Sequence, residues 1–133
     1  MLIRRLAELA GGEREATGPA WASRRLLLHG DGPPYSFHDT VLYAGTTTRL
    51  WYRNHQAAVY CLGGRGELLD RRRKVVHPIA SGVLYVLDVD SPAQVTVVTD
   101  LHVVCVFTPA LTGRESLDAD GSYPLLADDG PTA

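Results

Sequence analysis

Histidine, cysteine, carboxylate and lysine side chains carry most protein catalysis, and in this chain they are scattered. The five histidines, His29, His38, His55, His77 and His102, show no i, i+2 pairing, the spacing that would aim two imidazoles from one strand at a common ion. A catalytic divalent site needs about three His, Cys, Asp or Glu ligands with one position left open. No run of residues supplies such a set. His38 and His55 are kept as pocket candidates, and the remaining histidines read as strand or turn residues. Cys61 and Cys105 lie in apolar stretches without CxxC spacing and with no base beside them. They read as reduced core thiols with no disulfide between them, as befits a reducing compartment. The single lysine, Lys74, ends the run Arg71-Arg72-Arg73-Lys74, which is expected at a solvated hairpin tip, so Schiff-base chemistry is not expected.

The elements that position these groups are β-strands. From Arg24 onward, short runs of Val, Leu, Tyr and Thr alternate with Gly, Pro, Asp and Asn, the rhythm of an all-β domain. Strands are predicted at residues 24–29, 36–43, 46–52, 57–62, 67–70, 74–77, 83–88, 94–99 and 102–107. Between them, Gly30-Asp31-Gly32-Pro33-Pro34, Ala44-Gly45 and Gly63-Gly64-Arg65-Gly66 supply glycines that accept positive φ and prolines that fix it. Nine or so short strands in this length predict a closed barrel or two-sheet jelly roll, an architecture that protects strand edges and encloses a small-molecule pocket. The segment before about Ala20 reads as an edge strand or short helix followed by a loop. Residues 127–133 read as a frayed, flexible tail, leaving one barrel domain over residues 1–126.

Composition narrows the functional class. With 133 residues there is room for one domain, and 45% hydrophobic with 21% charged residues is the balance of a soluble globular protein. A net charge of -2 argues against a nucleic-acid binder, which normally needs a basic face to neutralise phosphates. No apolar run approaches the ~20 residues of a membrane span, and Met1-Leu2-Ile3-Arg4-Arg5-Leu6 is too short and too charged for a signal-peptide core. A cytoplasmic protein without membrane or nucleic-acid partners is expected.

A more specific frame lies in the middle of the chain. Cupin barrels are commonly marked by a glycine, five residues, two histidines separated by one residue, a glutamate four residues on, and a glycine seven after that. Gly45, Trp51, Arg53, Ala57 and Gly64 keep this spacing while replacing every ligand. In the second half Tyr85 follows Gly82 where a histidine often sits.

Longer stretches, including Trp21-Ala22-Ser23-Arg24-Arg25-Leu26-Leu27-Leu28, Tyr43-Ala44-Gly45-Thr46, Ala58-Val59-Tyr60-Cys61, Gly82-Val83-Leu84-Tyr85-Val86-Leu87-Asp88 and Leu111-Thr112-Gly113-Arg114-Glu115, make the chain resemble the ectoine synthases from Met1 to about Leu125. The resemblance implies a homodimeric cupin that closes the ring of an N-acetylated diaminobutyrate by attack of an amine on an amide carbonyl, with loss of water. It also implies an iron held by a glutamate, a tyrosine and a histidine. Those positions fall on Ala57, Tyr85 and Ala93, so two of the three ligands are missing, and Leu117 stands where the family has a further histidine. Positions that the family turns toward substrate are kept at Trp21, Ser23, Arg25, Thr40, Tyr52, Cys105, Phe107, Pro109 and Glu115.

The missing ligands lead to a functional expectation: a cyclase, dehydratase or isomerase of the carbon–oxygen lyase kind, working without metal or other cofactor. It would act on a small molecule other than the ectoine precursor, in a specialised pathway. Tyr52 and Tyr85 would act as acid/base groups or hydrogen-bond donors with Glu115 as a base, and Trp21, Ser23, Arg25, Thr40, Cys105 and Phe107 would bind substrate. Two other readings stand beside it. One is a genuine ectoine synthase with a rearranged metal site built from His38, His55 and Tyr85, and the other is a non-catalytic small-molecule-binding cupin.

Overall fold

A computed structural model describes residues 1–126 of the chain, so the expected tail at residues 127–133 lies outside the described residues. After a 3-10 turn at Leu6–Glu8 come eight strands: β1 (Glu15–Thr17), β2 (Trp21–Leu27), β3 (Ser36–Leu42), β4 (Thr47–Leu50), β5 (Gln56–Asp70), β6 (Val75–Ile79), β7 (Leu84–Leu87) and β8 (Ala93–Thr108). All pair antiparallel in one sheet ordered β1-β2-β3-β8-β5-β6, with β4 added to β8 and β7 added to β5.

The two long strands make this sheet a barrel. The first half of β5 pairs with β7 and with the last part of β8, while its second half pairs with β6 and with the start of β8. Each long strand therefore belongs to both walls and must bend where it passes from one to the other. In β5 the bend lies at Cys61 to Gly66, where the register against β8 slips three times. Such bulges turn the side chains of a strand over. Accordingly the buried positions are odd-numbered before the bend, at Ala57, Val59 and Cys61, and even-numbered after it, at Leu68.

This corrects the expectation of a hairpin at Gly63 to Gly66. Those glycines do not reverse the chain; they let β5 cross β8 at close range. Gly64 has φ +89°, and a Cβ there would collide with the Asp100 carbonyl, while one on Gly66 would lie 2.6 Å from the Thr96 carbonyl. Likewise 94–99 and 102–107 are one strand, and these two mergers together with the added β1 leave eight strands among the described residues and not nine. The basic run is a turn, as expected: Arg71 to Lys74 joins β5 to β6, with the Asp70 carboxylate accepting the N–H groups of Arg72 and Arg73.

The core fills the barrel with Val59, Cys61, Leu68, Ile79, Leu87, Val95, Val97, Leu101, Val103, Phe107 and Leu111. On β8 the inward set, Val95, Val97, Leu101, Val103 and Phe107, recurs with the period of two that a pleated strand imposes. Among the described residues no helix is long and apolar enough to cross a membrane.

Candidate active site

The strand ladder explains why chemistry-bearing residues meet. Arg25 on β2 pairs with His38 on β3, His38 with Cys105 on β8, Cys105 with Val59 on β5, and Val59 with Tyr85 on β7. Directly paired residues point to the same face, so these side chains form one row across the inside of the wall. The next row runs from Ser23 through Thr40 to Val103. Together with Trp21, Leu42, Thr48, Leu50, Tyr52, Leu87, Val95, Val97, Phe107, Leu111, Leu117 and Tyr123 they line a cavity of ≈ 70 Å³ inside the barrel.

Eight of the ten expected residues, Trp21, Ser23, Arg25, Thr40, Tyr52, Tyr85, Cys105 and Phe107, are therefore in one wall, and His38 joins them. Glu115 and Pro109 do not line the cavity. Both carboxylate oxygens of Glu115 accept backbone N–H groups of Thr112 and Gly113 at 2.8 to 3.1 Å, so this side chain organises the turn after β8. His55 is buried beside the cavity, with its ring edge-on to Phe107 and Tyr123 at 6.2 and 6.4 Å. Trp51 and Arg53, which occupy histidine positions of the cupin frame, point elsewhere. Trp51 Nε1 donates to the Val89 carbonyl, and the Arg53 guanidinium lies 5.1 Å over the Trp51 ring.

Tyr123 is a cavity residue that sequence reasoning missed. It lies parallel to Tyr52 at 5.8 Å and edge-on to Phe107 at 5.7 Å, while Tyr52 is edge-on to Phe107 at 5.1 Å. Each such pair is worth ~0.5 to 1.5 kcal/mol beyond the area it buries, so the three rings brace one another across the barrel mouth. Tyr123 belongs to no strand, and its only sequence signal is an aromatic residue set between glycine and proline in an Asp-rich stretch.

The cavity is electrostatically lopsided. Burial and the neighbouring Arg25 charge depress His38 to about 3, so its imidazole is neutral, with Nε2 2.8 Å from Ser36 Oγ. Burial pushes the Cys105 thiol up to about 12 despite a hydrogen bond with Thr40, and Thr40 Oγ1 in turn donates to Ser23 Oγ at 3.0 Å. Burial also raises the phenols of Tyr52 and Tyr85 well above their ordinary range, and that of Tyr123 to about 12. At neutral pH these groups are uncharged donors.

Arg25 is the exception, because a guanidinium stays protonated. It is 4% exposed, and among the described residues its Nε has no partner and its guanidinium makes one hydrogen bond, to the Gly113 carbonyl at 3.4 Å. A buried cation without a carboxylate is costly unless a ligand supplies the anion. The wall is thus built for a small anionic molecule whose remaining polar atoms meet hydroxyl donors.

The iron implied by the resemblance is a different matter. Ala57 and Ala93 are fully buried methyl groups, laddered against Phe107 and Leu87 and against Leu50 respectively. Among the described residues no three His, Cys, Asp or Glu side chains come together in a way that could hold a metal ion. The rearranged set of His38, His55 and Tyr85 does not form either, since His55 stays outside the cavity. The residues present do not fit this ion.

A bent antiparallel barrel with its polar pocket among the inward side chains is a cupin. The same fold appears in a cupin-2 domain from Rhodospirillum rubrum, which is 20% identical with a TM-score of 0.57 over 67% of this chain and 60% of that one. Within the cupins, the sequence model of the family described as Ectoine synthase matches residues 1–127, and the chain belongs to that family. L-ectoine synthase of Desulfatibacillum aliphaticivorans is 46% identical over 130 residues, 96% of this chain and 100% of that protein. The crystal structure of ectoine synthase from P. lautus is 40% identical, with a TM-score of 0.85 over 95% of this chain and 91% of that one.

These likenesses overturn the expectation of an enzyme for a different small molecule. That expectation weighed three altered positions, Ala57, Ala93 and Leu117, above the rest of the chain. The similarity extends over nearly the whole length of both proteins, and the eight expected wall residues stand together in one cavity.

Proposed function

We propose that this protein is an ectoine synthase: a cyclase that closes an N-acetyl-diaminobutyrate into its six-membered ring with loss of water. The observation that carries the reading is the buried Arg25, a lone cation in a pocket of neutral donors, combined with relatives that bear this name over their full length. The substrate is an amino acid derivative, so it brings the carboxylate that Arg25 lacks.

The reaction is proton-balanced. An ammonium and an amide become a cyclic amidinium and water, and the two protons the nitrogen gives up leave with the carbonyl oxygen. The site must relay protons without consuming them, and neutral hydroxyl and thiol groups do this. Tyr85 and Tyr52 are the donors suited to the carbonyl oxygen as charge develops on it, and one such donor contributes ~3 to 4 kcal/mol. Trp21 and Phe107 shape the wall, and Ser23, Thr40 and Cys105 form a hydrogen-bonded polar row. Glu115 holds the 112–115 turn behind Arg25, and its charge favours protonation of His55 and opposes ionisation of Tyr123.

We read residues 1–126 as one cupin domain that pairs with a second copy of itself. Tyr60 and Leu62 on β5, with Leu84 and Val86 on β7, are 43 to 60% exposed on the outer face, and Tyr60 and Leu84 are ladder partners. An apolar patch on adjacent strands suits burial against another subunit. The two free thiols suit the cytoplasm. The deciding experiment is cyclisation of N-acetyl-diaminobutyrate by the purified protein, followed by chromatography. Ectoine formation supports the assignment, and substrate returned unchanged under all metal conditions overturns it.

A further inference from the structure

We propose that Tyr123 is a specificity-determining residue of this pocket: its hydroxyl and the Arg25 guanidinium together bind the substrate carboxylate, and the site is complete only when the C-terminal strap is docked. This deepens the ectoine synthase reading and takes from it the substrate's carboxylate.

The strap is fastened by groups other than the Tyr123 side chain. The Asp118 carboxylate accepts the N–H groups of Asp120 and Ser122, and Arg53 reaches the carboxylates of both Asp118 and Asp120 at 3.2 Å. Trp51 N–H donates to the Gly121 carbonyl, Arg53 N–H to Ser122 Oγ, and the Asn54 amide to the Tyr123 carbonyl at 2.9 Å. Gly121, at φ +79°, lies so close to the Arg49 carbonyl that no Cβ fits. Docking is thus achieved by backbone and surface contacts, which leaves the phenol free for another task.

The ring of Tyr123 is held by Tyr52 and Phe107, and a phenylalanine would fill that space equally well. The hydroxyl needs a separate reason, because burying one without a partner is unfavourable. Tyr123 is 8% exposed and lines the cavity, and among the described residues its hydroxyl makes no hydrogen bond, although it is not one of the fully enclosed unpartnered atoms, which include Arg25 Nε. Arg25 is near enough for its charge to favour the ionised phenol, against burial and the influence of Cys105 and Glu115. Glu115 is the neighbouring carboxylate, but backbone N–H groups already engage both its oxygens. Both donors line the one cavity, and among the described residues neither is hydrogen-bonded to a carboxylate. A ligand carboxylate has two oxygens and satisfies both.

The test compares wild type with Tyr123→Phe, which keeps the ring and the strap. A hydrogen bond to a charged group sets the scale: KM for N-acetyl-diaminobutyrate is expected to rise roughly tenfold with kcat changed less than about twofold. In parallel, butyrate and butyramide are titrated into both proteins by NMR. Wild type is expected to prefer the carboxylate, and the variant to lose most of that preference. Unchanged KM and unchanged preference overturn the inference. If wild type makes no ectoine but the variant still loses its preference for butyrate, the cyclase reading falls and the carboxylate site stands. Should Tyr123→Phe fail to fold, tyrosine labelled with ¹³C at Cζ reads the contact in wild type: a phenol resonance that moves with butyrate and not with butyramide supports it, and the absence of one overturns it.

Discussion

Replacing Arg25 with methionine is expected to move stability and activity in opposite directions. The guanidinium is almost wholly buried, with a single 3.4 Å hydrogen bond and an unpartnered Nε. Exchanging buried ionic groups for apolar residues of similar shape stabilises proteins by about 1 to 4 kcal/mol. Taking about 2 kcal/mol, and a shift of roughly 3 to 5 °C per kcal/mol for a domain of this size, Tm should rise by roughly 6 to 10 °C. The same change deletes the only cation that lines the pocket among the described residues. Truncating one partner of a buried charge pair costs about 2 to 5 kcal/mol, so kcat/KM should fall by roughly thirtyfold to several thousandfold. Thermal melts followed by circular dichroism and the cyclisation assay measure the two arms. A variant that melts several degrees below wild type would show that Arg25 is a satisfied structural cation. Activity retained within about threefold would show that it does not meet the substrate. Either result refutes the reasoning.

Tyr85→Phe should lower kcat by roughly a hundredfold with little change in KM or Tm, because its hydroxyl is used only as charge develops on the carbonyl oxygen; an equal loss in KM alone would assign it to ground-state binding. After incubation with Fe²⁺ and gel filtration, metal analysis should find well under one iron per chain, since Ala57 and Ala93 offer no donor atoms, and a stoichiometric ion would refute that donor count. His38 has a folded pKa of about 3, below its ordinary 6.5, so the unfolded chain binds the extra proton. Stability is then full above about pH 6.5 and declines toward pH 3 by about 1.4 kcal/mol per unit at most. His55 adds in the same direction, and the depressed Asp31 contributes only below its ordinary 3.8. Urea midpoints between pH 7 and 4 should show this slope, and His38→Asn should flatten it. Leu84→Asp should convert a dimer to a monomer in light scattering while the fold is kept, and an unchanged mass would remove this face from the interface.

Much of the barrel is legible residue by residue. Runs of Val, Leu, Tyr and Thr, the turn glycine at Gly45 and the basic run after Asp70 place strands and turns to within a few residues, because these signals act over short distances along the chain. The glycines at 63 to 66 mislead for a physical reason: a bulge that bends a strand and a turn that reverses it both call for positive φ, and only the partner strand distinguishes them. Thr99 to Leu101 is misread similarly, since nothing local says that β8 continues through its own bend. Part of the wall was legible through resemblance: eight of the ten residues it marked, from Trp21 to Phe107, line the cavity, while Pro109 and Glu115 do not. The weight given to Ala57, Ala93 and Leu117 in assigning the substrate was misplaced.

By itself the sequence determined an all-β barrel fold and its family, because strand-forming runs and turn chemistry are local and the family's motifs span the chain. Tertiary structure alone decided that Arg25, His38, Cys105 and Tyr85 form one row, that Glu115 serves a turn, that His55 stays outside the cavity and that Tyr123 lines it. Those outcomes depend on register between strands distant in sequence and on a strap docked by backbone hydrogen bonds. Neither leaves a pattern along the chain.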